Sequence, residues 1–285
     1  MKSRFAFTPQ GTTQNMAETT TRPVNAATRD AMVDEARRIV DAARERGVVL
    51  RLYGGLAVRA HCDVIVFCER DYSDVDMVGV RAQRKDIVLL FRALGFTENY
   101  HVSQATRGRQ LQFVRPCPHG DGDARAHDGD HIDVSLDTFK MDHEIDLRGR
   151  LELDDLTIPV SDQLLTKLQV FRPDEKDARD VLTLLKDLEL TEDEAPGVIA
   201  LSYVAARCAD DWGLYHDVER NLQRVAALLP GYGLAEEDER RIHEGLARLR
   251  RAIEDAPKSL RWKLRAKVGE RRPWHNDVEE QSEEL

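Results

Sequence analysis

Two aspartates one residue apart, Asp74 and Asp76 in Ser73-Asp74-Val75-Asp76, follow a glycine pair, Gly54-Gly55, that closes an apolar stretch over residues 48–53. If residues 75–80 form a strand, alternate side chains share a face and both carboxylates project the same way. Held ~4 Å apart at an effective dielectric near 20, two such charges repel by roughly 4 kcal/mol. A cation drawing on both removes that penalty, and hard oxygen ligands favour Mg²⁺. Two glycines between a strand and a helix let backbone N–H groups come close to a phosphate, with a helix N-terminus behind them. A third carboxylate on a nearby strand would complete a two-metal site. Asp133 in His131-Ile132-Asp133-Val134 supplies it, with Asp137 as a rival because 133, 135 and 137 share a strand face.

The elements that must position these residues are readable from periodicity. Met32, Ala36, Ile39, Val40 and Ala43 recur at helical spacing, with Gly47 where a C-cap belongs. A strand over 48–53 runs into the glycine turn and a short helix over 56–62. The strand at 75–80 is followed by an amphipathic helix (Ile87, Leu90, Phe91, Leu94) closed by Gly95. Residues 100–104 and 110–114 read as a hairpin around Arg107-Gly108-Arg109, residues 115–130 as a long polar loop, and 132–136 as a strand. From Ser161 the period changes to 3.6: Leu164, Leu165, Leu168 and Phe171 form one stripe, and Val181, Leu182, Leu185 and Leu188 another, after the helix start Pro173-Asp174-Glu175. Further helices are expected over 195–209, 218–229, 236–253 and 260–268. The fold class is therefore α+β: a mixed sheet flanked by helices, then an all-helical segment. Expected boundaries are a disordered leader at 1–27, rich in Thr, Gln, Asn and Pro, a catalytic domain at 28–160, a helical domain at 161–275 and an acidic tail at 276–285.

Composition narrows the function. The chain has 285 residues, 41% of them hydrophobic, and no apolar stretch near the ~20 residues that cross a bilayer, so no membrane span and no secretory signal are expected. Cys62, Cys68, Cys117 and Cys208 show no Cys-x-x-Cys pair, which argues against a zinc cluster or a disulfide framework and for the cytoplasm. With 42 Lys+Arg against 52 Asp+Glu the net charge is −10, which disfavours general nucleic-acid binding. One local exception is the run Lys258, Arg261, Lys263, Arg265, Lys267, Arg271 and Arg272, with Trp262 and Trp274 nearby. Leu260, Leu264 and Val268 give it a stripe that could pack on the core. The alternative is a nucleic-acid contact with charge on phosphate and indole on a base.

The glycine pair, the Asp-x-Asp and the third Asp together resemble the nucleotidyltransferase superfamily with the DNA polymerase β-like catalytic fold. Leu165-Thr166-Lys167-Leu168 with Lys176-Asp177-Ala178-Arg179-Asp180 is similar to its abortive-infection branch, which includes toxins of type IV toxin–antitoxin systems. The resemblance spans roughly residues 50–188. It implies transfer of a nucleoside monophosphate from an NTP to an acceptor (a tRNA end, a protein hydroxyl or a small molecule) with two Mg²⁺ ions. Asp74 and Asp76 would hold the metals. Asp133 would share one with the attacking group and accept its proton, and Gly54 and Gly55 would bind phosphates. An antitoxin protein would be a partner. The interval from Gly55 to Asp74, 74 − 55 = 19 positions, is longer than the family usually shows and calls for an extra strand or loop.

Lys167 also stands out by its position. Leu164 precedes it by three and Phe171 follows by four, so its stem lies along an apolar stripe and its ammonium either reaches the domain edge or enters the cleft. The resemblance favours a triphosphate or acceptor contact. Arg172, Lys176 and Arg179 could assist or form a solvated face. His119, Asp121, Asp123, His127, Asp128 and Asp130 crowd one loop without a known ligand spacing, and His143 could approach the cleft but reads rather as a structural or surface histidine. Two rival readings are a nucleotide-sugar-dependent glycosyltransferase, which needs only the Asp-x-Asp, and a non-catalytic nucleotide-binding module of the same fold.

Overall fold

A computed structural model describes residues 26–62, 67, 72, 74–115 and 131–276, with side chains from residue 31 onward. Helix α1 (Ala26–Glu45) buries Ala36, Ile39, Val40 and Ala43 on one stripe and ends at Gly47. There the amides of Gly47 and Val48 bond back to the carbonyls of Arg44 and Ala43, and Gly47 takes the left-handed φ of 68° that this closure needs. Strand β1 (Leu50–Tyr53) follows and passes directly into helix α2 (Gly54–Ala60). Strand β2 (Val75–Gly79), helix α3 (Arg84–Ala93), strand β3 (Thr97–Glu98), helix α4 (Tyr100–Ala105) and strands β4 (Gln110–Val114) and β5 (His131–Leu136) complete the sheet region.

The five strands lie in the order β1-β2-β5-β4-β3. Only β2 and β5 run parallel; the other neighbours are antiparallel, so the sheet is mixed and the fold is α/β in the α+β sense. Residues 156–158 lie along the outer side of β1, with Leu52 donating to the Leu156 carbonyl and accepting from the Ile158 amide, both at 2.9 Å. Alternation sorts the side chains onto two faces. Leu50, Leu52, Val75, Met77, Leu111, Phe113, Ile132, Val134 and Leu136 join α1 and α3 in one apolar core. The intervening residues, among them Tyr53, Asp76, Gln112, His131, Asp133 and Ser135, point to the other face.

That second face meets the rest of the chain. A two-stranded hairpin of β6 (Thr138–Lys140) and β7 (Glu144–Asp146) leads to helices α5 (Val160–Leu168) and α6 (Glu175–Asp187). After the short parallel pair β8 (Leu190–Thr191) and β9 (Ile199–Ala200) come α7 (Leu201–Asp210), α8 (Trp212–Leu228), α9 (Glu236–Asp255) and α10 (Leu260–Val268). Leu164, Leu168, Leu182, Leu185, Val204, Leu222 and Ile242 form a core that also takes in Tyr53 and Val78 from the sheet and Ile145 from β7. Among the described residues no helix is long and apolar enough to cross a membrane.

Several expectations need correction. Residues 100–105 are a helix, not the first arm of a hairpin: Asn99 caps its start by accepting from the His101 amide at 3.3 Å, and Arg107 and Gly108 close it at positive φ. Strand β4 pairs instead with the two-residue β3 on one side and with β5 on the other. The helix expected from residue 195 starts at Leu201, because the Ala200 amide is taken by the Ser161 hydroxyl (2.8 Å) and Ile199–Ala200 pairs as a strand. Helix α8 starts earlier than its apolar stripe suggested, at Trp212, where Asp211 accepts from the Gly213 and Leu214 amides. Cys62 is disulfide-bonded, against the reading of the cysteines as lacking a bridge. Helix α1 already begins at Ala26; the rest of the expected leader, most of the 115–130 loop with its His/Asp cluster, and most of the acidic tail lie outside the described residues.

Candidate active site

The parallel pairing of β2 with β5 places Asp76 directly opposite Asp133, the in-register neighbours of adjacent strands. Both belong to the polar face of the sheet, and Asp74, two residues before Asp76, stands at the mouth of the same strand. The imidazole of His131, which shares a face with Asp133, lies between carboxylates: its Nε2 is 3.4 Å from Asp74 Oδ1 and 3.6 Å from Asp133 Oδ2. On the next strand Gln112, the in-register partner of Asp133, donates from Nε2 to Asp133 Oδ1 at 3.0 Å. Asn99 Nδ2 in turn donates to Gln112 Oε1 at 2.7 Å. One carboxylate oxygen of Asp133 is thus held by a chain of amides anchored at the start of α4.

The glycine turn lies beside Asp76 because β1 pairs Tyr53 with it. Gly54 has φ 77°, and a Cβ built there would stand 2.6 Å from Asp76 Oδ2. Both facts demand glycine: the backbone is left-handed and the space of a side chain is already filled by the carboxylate. The Gly54 amide donates to Gln163 Oε1 (3.2 Å), and Gln163 Nε2 donates back to the Gly54 carbonyl (3.0 Å). A phosphate-facing donor in this turn therefore has to come from Gly55 onward, since the Gly54 N–H is committed to Gln163.

Lys167 borders a cleft, with its ammonium paired to acids of α6. A cavity of about 330 Å³ is bordered by the glycine turn, Asp74, Asp76, Lys167, Lys176, Asp177 and, from the β6–β7 hairpin, Phe139 and Met141. The Lys167 ammonium lies 3.2 Å from Asp177 Oδ1 and 2.9 Å from Asp180 Oδ2, both on α6. Its charge also acts on Asp76, favouring the ionised carboxylate.

Electrostatics separate Asp76, Asp133 and Asp177 from ordinary surface carboxylates. Burial, followed by the charges of Asp133 and Asp74, pushes Asp76 up to about 7, against a partial pull downward from Lys167 and His131. Burial also raises Asp133, opposed by its bond from Gln112 and by His131. Burial raises Asp177 against the pull of Lys167, and it raises the Tyr53 phenol, whose neighbour Asp76 adds to the effect. Burial and the two neighbouring carboxylates together favour the protonated form of Asp76, and a cation beside it would act in the opposite sense. Asp74, Asp76 and Asp133 are hard oxygen donors of the kind Mg²⁺ takes. Among the described residues no three such side chains are already drawn together as a formed metal cluster. The donor chemistry fits a divalent cation, and binding would require the carboxylates to close in.

The remaining sequence candidates separate clearly. Asp137 falls past the end of β5 at φ 65°, and its Oδ1 accepts from the Arg81 amide at 2.9 Å, which ties it to the loop after β2 and away from Asp76. His143 is buried and bonded to Asp217 at 2.7 Å, a structural pair as expected. Lys176 borders the cleft; Arg179 pairs with Glu175 on its own helix, and Arg172 is exposed. The stripe on α10 does not pack on the core: Leu260 is 73% and Leu264 55% exposed, and the helix is seated instead through Trp262 against Tyr215 and Arg265 over Trp212. The sequence reading missed His131, Gln112, Gln163 and the pairing of Lys167 with Asp177 and Asp180. His131 and Gln112 carried a signal, being polar residues on the site face of otherwise apolar strands. Gln163 carried none. In comparisons with known proteins the chain matches no family model and no curated protein.

Proposed function

We propose that the chain is a Mg²⁺-dependent nucleotidyltransferase of the DNA polymerase β-like kind, moving a nucleoside monophosphate from an NTP to an acceptor. The observation that carries this reading is the in-register pair Asp76 and Asp133 on parallel strands, with the Gly54 turn packed against one carboxylate. Asp74, Asp76 and Asp133 would hold the metal, which when bound supplies charge neutralisation to the triphosphate and to the displacement at its α-phosphorus. The acceptor oxygen forms the new bond to that phosphorus, and pyrophosphate leaves. Asp133, with Oδ1 held by Gln112 and its basicity raised by burial, is the group that takes the acceptor's proton. Lys167, held by Asp177 and Asp180, places its ammonium at the cleft wall, where a phosphate oxygen would compete with those two carboxylates for it. The toxin-like branch and an antitoxin partner belong to the same proposal through the Lys167–Asp180 stretch.

A glycosyltransferase needs only Asp74 and Asp76 and leaves Asp133 and the glycine packing without a role. A nucleic-acid acceptor would meet the exposed Arg261, Lys263, Lys267, Arg271 and Arg272. The decisive test incubates the protein with each labelled NTP, Mg²⁺ and a cell extract. Label passing to a macromolecule or small molecule with release of pyrophosphate supports the reading. Nucleotide binding with no transfer under any acceptor condition selects the non-catalytic module, and turnover of sugar nucleotides alone selects the glycosyltransferase.

A further inference from the structure

The clasp between Gln163 and Gly54 spans 109 residues of sequence and joins the helical segment to the glycine turn. Gln163 is completely buried, and its one amide group both accepts from the Gly54 N–H and donates to the Gly54 carbonyl. Only one orientation of the amide satisfies both bonds, so the pairing fixes its rotamer as well. The peptide bonds are trans, so the Gly55 N–H points opposite to the Gly54 carbonyl. By gripping that carbonyl, Gln163 turns the Gly55 N–H away from itself, and Gly55 borders the cleft. The same grip holds Gly54 in its left-handed conformation, with Asp76 Oδ2 in the space a Cβ would fill. Four residues along the same face of α5, Lys167 reaches the cleft wall.

We infer that Gln163 is a positioning residue that fixes the glycine turn relative to Asp76 and Lys167, and so sets the affinity of the cleft for a nucleoside triphosphate. This rests on the nucleotidyltransferase reading. A glutamate cannot replace the amide while ionised, because it has no proton to donate to the Gly54 carbonyl; a methionine of the same length offers neither bond. The triphosphate is held in both ground and transition states, so loss of the clasp should appear mainly as uniform binding.

The test compares the full chain with Gln163→Met and Gln163→Glu. It measures KM and kcat for the preferred Mg²⁺–NTP, the dissociation constant of the same nucleotide by calorimetry, and the melting temperature. The expected result for Gln163→Met is a rise in KM and in the dissociation constant of about tenfold or more, with kcat within about threefold. Gln163→Glu should weaken binding as well, having lost the donor to the carbonyl. Folded variants with parental KM and dissociation constant, even with a lowered melting temperature, would make the clasp purely structural and overturn the inference. If the parent binds nucleotide but transfers none, the transferase reading falls while the dissociation constants still decide the role of Gln163. If the parent binds no nucleotide, both fall together.

Discussion

The two faces of the central sheet are built from the same strands and differ in every second residue. On the face towards α1 and α3, Met77, Leu111, Phe113 and Val134 are fully buried or nearly so and make an apolar core. On the other, Asp76, Asp133, Gln112 and His131 occupy the intervening positions, and the strands that give the first face its stability hold these acids within reach of one another. The comparison teaches how such a site tolerates its own repulsion. Apolar packing on one face provides the stability that keeps a desolvated carboxylate pair together on the other, so the site is a strained feature on a rigid support.

The largest expected effect distinguishes the faces by what they lose. Asp76→Asn or Asp133→Asn should lower nucleotide transfer by on the order of 10³-fold or more while the folded state persists, as read by labelled-NTP transfer beside thermal melts. Phe113→Ala on the opposite face should do the reverse, costing about 3–5 kcal/mol in denaturant unfolding with activity retained by the folded fraction. Parental transfer rates in both carboxylate variants would remove the site from the reaction.

The pH dependence sharpens the contrast. Asp76 is pushed up to about 7 from an ordinary 3.8, so the native state binds its proton more tightly than the unfolded chain. Stability of the metal-free protein should therefore fall as pH rises from about 4 to about 7, with a slope contribution of at most ~1.4 kcal/mol per unit, and level off above. Asp76→Asn should abolish that contribution and be the more stable protein at neutral pH. Urea unfolding across this range in the presence of a chelator measures it, and a parent and variant with parallel profiles would contradict the strain on this face.

Smaller effects test the edges of the comparison. Gly54→Ala forces a left-handed backbone and a Cβ 2.6 Å from Asp76 Oδ2, for a cost of about 1–2 kcal/mol together with loss of transfer. The smallest effect belongs to α10, where Leu260→Ser with Leu264→Ser should leave stability within about 0.5 kcal/mol, because neither side chain is buried. A large loss there would mean that the helix packs on its leucines after all.

How far the sequence could be read depended on whether a signal was local. The α1 stripe ending at Gly47, the α3 stripe ending at Gly95, and the alternation in β2, β4 and β5 all follow from short-range patterns, and each appears where expected. Residues 100–105 were misread because their composition suits a strand, whereas the Asn99 cap and the left-handed Arg107 and Gly108 make a helix. The α10 leucines were misread because periodicity shows that a stripe exists and not what it faces. Strand parity alone makes Asp137 a rival to Asp133, which the more apolar surroundings favour, and the strand in fact ends at Leu136.

By itself the sequence determined which side chains share a face in the regular strands and helices, where several helices stop, and that Asp74 and Asp76 could act with either Asp133 or Asp137. Those properties are set by backbone periodicity and by residues that alone tolerate particular φ angles. Only the tertiary structure decided that β2 and β5 are parallel neighbours in the register that opposes Asp76 to Asp133, that His131 lies between the acids, and that a glutamine 109 positions away holds the glycine turn. Strand order, register and long-range hydrogen bonds depend on how distant segments bury one another, and no local pattern encodes that.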